Sequence, residues 1–460
     1  MSLEESSIPF DHDQIVAELQ ACIHEKRWSE VKDVVAGVPT AEIADAFIAL
    51  PKTDKVLAFH ALPRALAADL FSYLELEEAN NLLSDLTDEH ARELVANLKP
   101  DDRTQLLEEL PGQVTQRLLN LLSPEDLREA RQLLGYPEES VGRLMTPDYV
   151  AVRAKWTIAR AIEHIRKKGR DSEIISIVYV TDPDWQLIDA LELRKLILAD
   201  PEATVASLMD NSFVSLSAFD DREEAVRALS RYDVVALPVV DSGGVLLGIV
   251  TVDDVLDVAE EEATEDFHKG AAVSPLDRSY RESSIWSLFQ KRIGWLLILV
   301  IVNLLSSAVI SAYEETLATV IALAFFIPLL IGSGGNTGAQ SATLMVRAIA
   351  TDDVRLSQWF NCVSKEVAVG LSLGVAMGLA SAVLGLFRGG WMLGVVVGLS
   401  MLGIVLVANL VGTILPFILT RANVDPAIAS SPLITTIADA SGLLIYFGTA
   451  SFFIETGLIG

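Results

Sequence analysis

Cysteine is almost missing from the 460 residues, with only Cys22 and Cys362 present. Two thiols so far apart build no disulfide framework, and a reducing compartment is the simplest setting for any soluble part. Histidine is scarce as well, at positions 12, 24, 60, 90, 164 and 268 only. None falls in the apolar C-terminal stretch, which argues against a His/Cys transition-metal site there. No Gly-Lys-Ser/Thr follows the glycine-rich run 331–341, so that run is not a P-loop. An enzyme finds no support either, because no nucleophile–base pair or metal-protease motif stands out. The opening MSLEESSIPFDHD lacks a basic segment ahead of an apolar one and is not expected to be a signal peptide.

Basic residues are in deficit, 35 Lys and Arg against 63 Asp and Glu, and the deficit is local. Residues 281–460 hold 8 basic and 9 acidic residues, so the first 280 carry −27 of the net −28. A field of that sign repels nucleic acid and anionic headgroups and concentrates cations. With 51% hydrophobic residues the chain is too apolar for an ordinary soluble protein and too long for one domain.

Leucine recurs every 12 residues from Leu50 to Leu134, with Val38 one period earlier, and proline follows directly at Pro39, Pro51, Pro63 and Pro111 and one place later at Pro100 and Pro124. Proline pushes the preceding residue out of the α region and itself suits a first helical turn. Residues 1–135 therefore read as a stack of short helices, an α-solenoid burying its leucines between neighbours. Its acids, including Glu75, Glu77, Glu78, Asp85, Asp88 and Glu89, are either a solvated face or a surface that meets another acidic one through cations.

A second repeat spans residues 136–258. SVGRLMTPDYV matches TVASLMDNSFV at an offset of 64, and each copy continues through a buried strand, IISIVYVTD or VVALPVVD. The two copies resemble a tandem pair of CBS (cystathionine β-synthase type) domains, the second carrying the better signature, LPVVD and GIVTVDD. That resemblance implies an adenine-nucleotide site, ATP being the natural candidate, with Thr251 on phosphate and Asp254 on ribose. Aligned at the spacing of the strands, the first copy offers Ile188, Leu191 and Arg194 where the second has Gly248, Thr251 and Asp254. At most one nucleotide site with the usual contacts is expected, and a purely structural pair is the alternative.

Residues 259–285 form an acidic connecting segment. From Asp254 to Gly270 no helix breaker occurs, and Asp254, Asp257, Glu261 and Glu265 share a helical face, where like charges repel. A hard divalent cation, Mg²⁺ or Ca²⁺, would relieve that repulsion. A solvated linker helix is the alternative.

Residues 286–460 contain five apolar stretches, about 293–312, 317–345, 363–387, 391–420 and 430–456, each long enough to span a bilayer. Lys291, Arg292, Arg347, Arg355, Lys365 and Arg421 put the N-terminal part in the cytoplasm by the positive-inside rule, with Arg388 as the exception. The last stretch contains Asp439 within PLITTIADASG. An ionised group at mid-bilayer costs roughly 3 kcal/mol even on the lenient scale, so it is expected to face a wet path or a cation. Thr435 and Thr436 add oxygens one turn away. Mg²⁺ dehydrates reluctantly, so these oxygens suit a mostly hydrated ion, and a symmetric dimer would double the acid across an axial pore.

The order of α-solenoid, CBS pair, acidic connecting helix and apolar helices, with PLLIGSGGNTGAQS at 328–341 and Asp425-Pro426 before SPLITTIAD, resembles the MgtE family of magnesium channels and transporters over essentially the full chain. The resemblance implies a multidomain membrane protein: a cytosolic α-solenoid, an α/β CBS pair, a plug helix, and an all-α membrane domain of five spans. It implies a homodimeric Mg²⁺ channel of the bacterial inner membrane with Asp439 in the pore. Cytosolic Mg²⁺ would close it by binding acids, for which Asp254, Asp257, Glu262, Glu265 and Asp266 are the candidates. The rival readings are a secondary carrier, or a channel for Ca²⁺, Mn²⁺ or Co²⁺.

Overall fold

The computed structural model describes residues 12–74, 76–276, 280, 283–351 and 353–456. Its chain divides into two compact units at Glu260/Glu261.

In the first unit the 12-residue period becomes geometry. Helices begin at Thr40, Lys52, Arg64, Leu76, Asp88, Pro100, Gly112 and Pro124, one per period. Pro39, Pro51, Pro63 and Pro111 occupy the N-cap position, and Leu50, Leu62 and Leu110 before them are extended, as the pre-proline clash demands. Where proline is absent or one place later, a hydroxyl can do the capping: Thr87 accepts from His90 N and Ser123 from Asp126 N. Alternate helices pack together and bury the periodic leucines in one continuous core. Phe47, Phe59 and Phe71, one per repeat, stack edge to face with centroids 6.2 and 6.3 Å apart. Several of the solenoid's acids are tied across helices: Glu78 to Lys55 at 2.8 Å, Asp85 to Lys52 at 3.3 Å and Asp88 to Arg117 at 2.8 Å. Glu75 lies outside the described residues.

The duplication follows as two three-stranded sheets of identical topology. In the first, β1 (Ala151–Arg153) runs parallel to β2 (Ile177–Thr181), which pairs antiparallel with β3 (Leu187–Glu192). In the second, β4 (Leu216–Ser217), β5 (Ala236–Val240) and β6 (Leu246–Thr251) repeat that order, and both ladders slip after the fourth pair. The ladders correct the sequence register by one residue. Ile177 faces Glu192 as Ala236 faces Thr251, so Thr251 corresponds to Glu192, Gly248 to Asp189 and Asp254 to Lys195, not to Leu191, Ile188 and Arg194. Strand pairing fixes register here, and apolar residues at neighbouring positions do not reveal it.

The helix Val252–Gly270 leaves β6 and runs across the boundary into the second unit. There the helices Ile285–Ala312, Ile327–Ala350, Trp359–Arg421 and Ser431–Glu455 dominate. The expected stretch 317–345 is not one helix. A short helix Glu314–Thr319 and a 3-10 segment Ile321–Phe326 come first, and Pro328 opens the long helix instead of lying inside it.

A straight 63-residue helix would reach about 95 Å at 1.5 Å per residue. Trp359–Arg421 does not, because Gly389 and Gly390 leave helical geometry, Gly390 at φ +81°. The arms double back: a Cβ on Gly385 would stand 2.7 Å from Gly394 Cα, and one on Gly378 2.7 Å from Gly398 O. Arg388 at this turn stacks 4.2 Å over the Phe325 ring. The unit's core joins Leu323, Phe326 and Leu330 to Val396, Met401 and Ile404 and to Leu443, Tyr446 and Phe447. Among the described residues, four helices are by length and composition apolar enough to cross a membrane, the longest being this doubled one.

Candidate functional site

Ser431–Glu455 starts with proline in its first turn and places Thr435 and Asp439 one turn apart. The wall opposite is the glycine-rich helix: a Cβ on Gly335 would lie 3.2 Å from Thr435 Cγ2 and 3.7 Å from Asp439 Oδ1. Thr435 and Thr436 both donate their hydroxyl protons to Pro432 O, at 2.9 and 2.8 Å. Their oxygens are thus left as acceptors, the polarity a cation needs. Thr435 stays half-buried beside Asp439, whereas Thr436 is 5% exposed. Among the described residues no donor or cation pairs with the Asp439 carboxylate.

A polar knot holds the glycine-rich helix against the hairpin. Asn409, 3% exposed, donates Nδ2 to Glu366 Oε2 at 2.7 Å and to Glu366 O at 2.9 Å. Its carbonyl accepts from Ser341 Oγ at 3.1 Å and from Thr413 Oγ1 at 2.9 Å. Beside it the backbones nearly touch, since a Cβ on Gly412 would be 2.3 Å from Gly338 O. On the other side of this helix Asn336 and Gln340 remain exposed, a polar stripe on an element otherwise apolar enough for lipid.

The second carboxylate centre lies in the first unit. Thr251, 1% exposed, donates to Asp254 Oδ2 at 2.7 Å. Burial pushes Asp254 up to about 7, against the Thr251 hydrogen bond and helped by the charges of Asp253, Asp102 and Glu173. Asp102 is pushed up to about 6, chiefly by burial, with Lys99 opposing and Glu173 and Asp253 assisting. Asp101 is 7% exposed, its Oδ1 has no hydrogen-bond partner, and burial followed by the charge of Asp254 raises its pKa well above the usual range. Lys99 offsets part of this through Glu173 at 2.6 Å. Asp101, Asp102 and Glu173 were not legible as partners of Asp254. The solenoid helix Pro100–Glu109 and the first CBS copy bring them there, and no spacing in the sequence announces it.

The other sensor candidates disperse along the connecting helix. Asp257 is exposed, Glu262 and Asp266 are half-buried, and Glu265 pairs with Lys269 at 2.6 Å. Among the described residues, no three His, Cys, Asp or Glu side chains converge into a ready metal cage. In the first CBS copy, Asp189 stands where the second has Gly248. It is fully buried and its carboxylate accepts from the amides of Ala190, Asp210 and Asn211, at 2.8, 2.9 and 3.1 Å. That carboxylate is committed to the loop.

An apolar helical unit holding an unpaired acid, preceded by a solenoid and a CBS pair, has the make-up of a multidomain membrane protein. Residues 327–449 match the family of divalent cation transporters called MgtE, residues 38–139 the MgtE intracellular N domain, and 141–202 and 205–261 the CBS domain. The magnesium transporter MgtE of Thermus thermophilus is 42% identical over 340 residues, 74% of this chain and 76% of that protein. That of Bacillus subtilis is 36% identical over 339 residues, 74% and 75% of the two chains. A crystal structure of the soluble part of a magnesium transporter superposes with TM-score 0.53 at 28% identity, covering 55% of this chain and all of that one. The cytosolic domain of the Mg²⁺ channel MgtE in complex with ATP gives 0.51 at 35% identity, covering 53% and 99%. The chain belongs to the MgtE family of magnesium transporters.

Proposed function

We propose that the protein conducts Mg²⁺ across the bacterial inner membrane as a homodimer, each chain crossing five times and leaving its N-terminal domains in the cytoplasm. The observation that carries this reading is the unpaired Asp439 carboxylate facing Gly335 and Thr435 in an otherwise apolar unit. One acid with hydroxyl oxygens as acceptors suits an ion that keeps most of its water, and two chains would present two such acids. The exposed Asn336 and Gln340 stripe supports a second chain or a wet path on that side. The relatives named magnesium transporters support the choice of cation.

Closure follows from linkage. A divalent cation that binds the Asp101, Asp102, Asp254 and Glu173 group better in one arrangement shifts the protein toward it by its differential affinity. Asp257, Glu262, Glu265 and Asp266 extend the same negative field along the connecting helix. Thr251 and Asp254 double as an ATP site in the second CBS copy, which a related cytosolic domain solved with ATP supports.

Purified protein in liposomes tests the reading, with only an ion gradient and a voltage applied. Mg²⁺ flux should follow both and fall as Mg²⁺ on the cytosolic side rises. Flux that needs a second gradient would make the protein a coupled carrier, and preference for Ca²⁺, Mn²⁺ or Co²⁺ would change the cargo. Normal Mg²⁺ flux through Asp439→Ala would remove the pore assignment.

A further inference from the structure

Near its end the connecting helix carries Lys269, whose ammonium is held twice. Nζ donates to Glu265 Oε1 at 2.6 Å, one turn earlier, and to Asp425 Oδ2 at 2.7 Å. Burial lowers the pKa of this ammonium, but its bonds to Asp425 and Glu265 outweigh that, and it stays charged. Asp425 is itself anchored: its Oδ1 accepts from Ala427 N at 2.8 Å and caps the 3-10 turn Pro426–Ile428. That turn packs on both the hairpin helix and the glycine-rich helix. It continues through the buried Ala429 and Ser430 into the helix that carries Asp439. Thirteen residues of chain therefore separate the Lys269 contact at Asp425 from the candidate pore acid, and most of the connection is fixed by hydrogen bonds or burial.

We propose that Lys269 is a latch, pinning the end of the connecting helix to the Asp425 turn and biasing the protein toward its closed arrangement without any divalent cation. The inference rests on the proposed function, with the connecting helix as the plug that the resemblance to the family implies. The latch contributes a divalent-independent part of closure, and cytosolic Mg²⁺ acts on top of it. Without the ammonium, the carboxylates of Glu265 and Asp425 would face each other uncompensated, and repulsion would drive the helix end off the turn. The ion pair is two-thirds or more sheltered on all three side chains, so it is less screened than the exposed pairs of the solenoid.

The test is Mg²⁺ flux against cytosolic Mg²⁺ for the full chain in liposomes, comparing wild type with Lys269→Met, Lys269→Arg, Asp425→Asn and the Met/Asn double variant. Asparagine keeps the cap on Ala427 but loses the charge. Lys269→Met should raise the Mg²⁺ concentration for half-inhibition by about 5- to 10-fold, the lower range of allosteric couplings. Lys269→Arg should stay within about twofold, and the double variant should be no worse than either single one, because both remove one interaction. A Lys269→Met curve within twofold of wild type, or additive effects in the double variant, overturns the latch. The wild-type curve tests the gating reading separately. Should it be flat, hydrogen exchange of the 427–430 amides decides: about fivefold faster exchange in Lys269→Met and Asp425→Asn but not in Lys269→Arg supports the latch, and unchanged exchange refutes it.

Discussion

Gly335 stands against Asp439 so closely that a single added carbon would lie 3.7 Å from the carboxylate oxygen Oδ1 and 3.2 Å from Thr435 Cγ2. The second distance is already tight for a methyl group, and a branched side chain has nowhere to go. Gly335→Val should cut Mg²⁺ flux by tenfold or more with the chain still folded. Gly294→Ala, where an added carbon meets nothing within 4 Å, should leave flux unchanged. Isotope uptake by both variants, normalised to reconstituted protein, checks the pair.

Asp439→Asn keeps the shape of the acid and removes its charge. Flux should fall about a hundredfold or more, since neutral amide oxygens seldom hold a divalent ion without a carboxylate. Unchanged elution on size exclusion would show that folding and association survive.

The contact between Gly412 and Gly338 is a test of packing. Gly412→Ala places a carbon 2.3 Å from Gly338 O, so the helices must separate, at a cost of about 1–3 kcal/mol or more. Gly448→Ala adds its carbon to open space and should gain a little from helix propensity. Thermal melts in detergent should place the two variants on opposite sides of wild type.

The buried acids of the first unit predict a pH dependence. Asp254 rises to about 7 and Asp102 to about 6 in the folded chain, against about 3.9 unfolded. Between those limits the folded state binds more protons, so stability is greatest at the acid end, falls as pH rises through about 4 to 7, and levels off above. In the absence of divalent cations the first unit should therefore melt lower at pH 8 than at pH 5. Asp254→Asn should flatten the slope and raise the melting temperature at pH 8. Added Mg²⁺ should stabilise more at pH 8 than at pH 5, because protons compete for the same oxygens.

Calorimetric titration with ATP should give one site per chain and lose it in Thr251→Ala. Heat from a second site would contradict the reading of the first CBS copy, where Asp189 and Glu192 replace Gly248 and Thr251. Asp189→Ala should instead destabilise that copy by about 1–3 kcal/mol, as three part-buried amides lose their acceptor.

Sequence by itself determined what local rules govern. Leucine and proline every 12 residues dictate where the solenoid helices start, because proline restricts its own φ and its neighbour's conformation. The duplicated strands follow from apolar runs, and Asp439 stands out by the cost of charge in hydrocarbon. Tertiary structure alone decided what depends on distant residues meeting. The CBS register needed the ladder. The break before Pro328 needed the backbone, since an apolar run looks the same straight or folded, whereas the turn at Gly389 and Gly390 falls in the gap that the sequence leaves between 363–387 and 391–420. The connecting-helix acids look equivalent along the chain, yet Asp254 lies buried within the charge field of Asp101, Asp102 and Glu173 while Glu265 is answered by Lys269. Charge is written in the sequence, but which charges share a buried space is decided only when the helices pack.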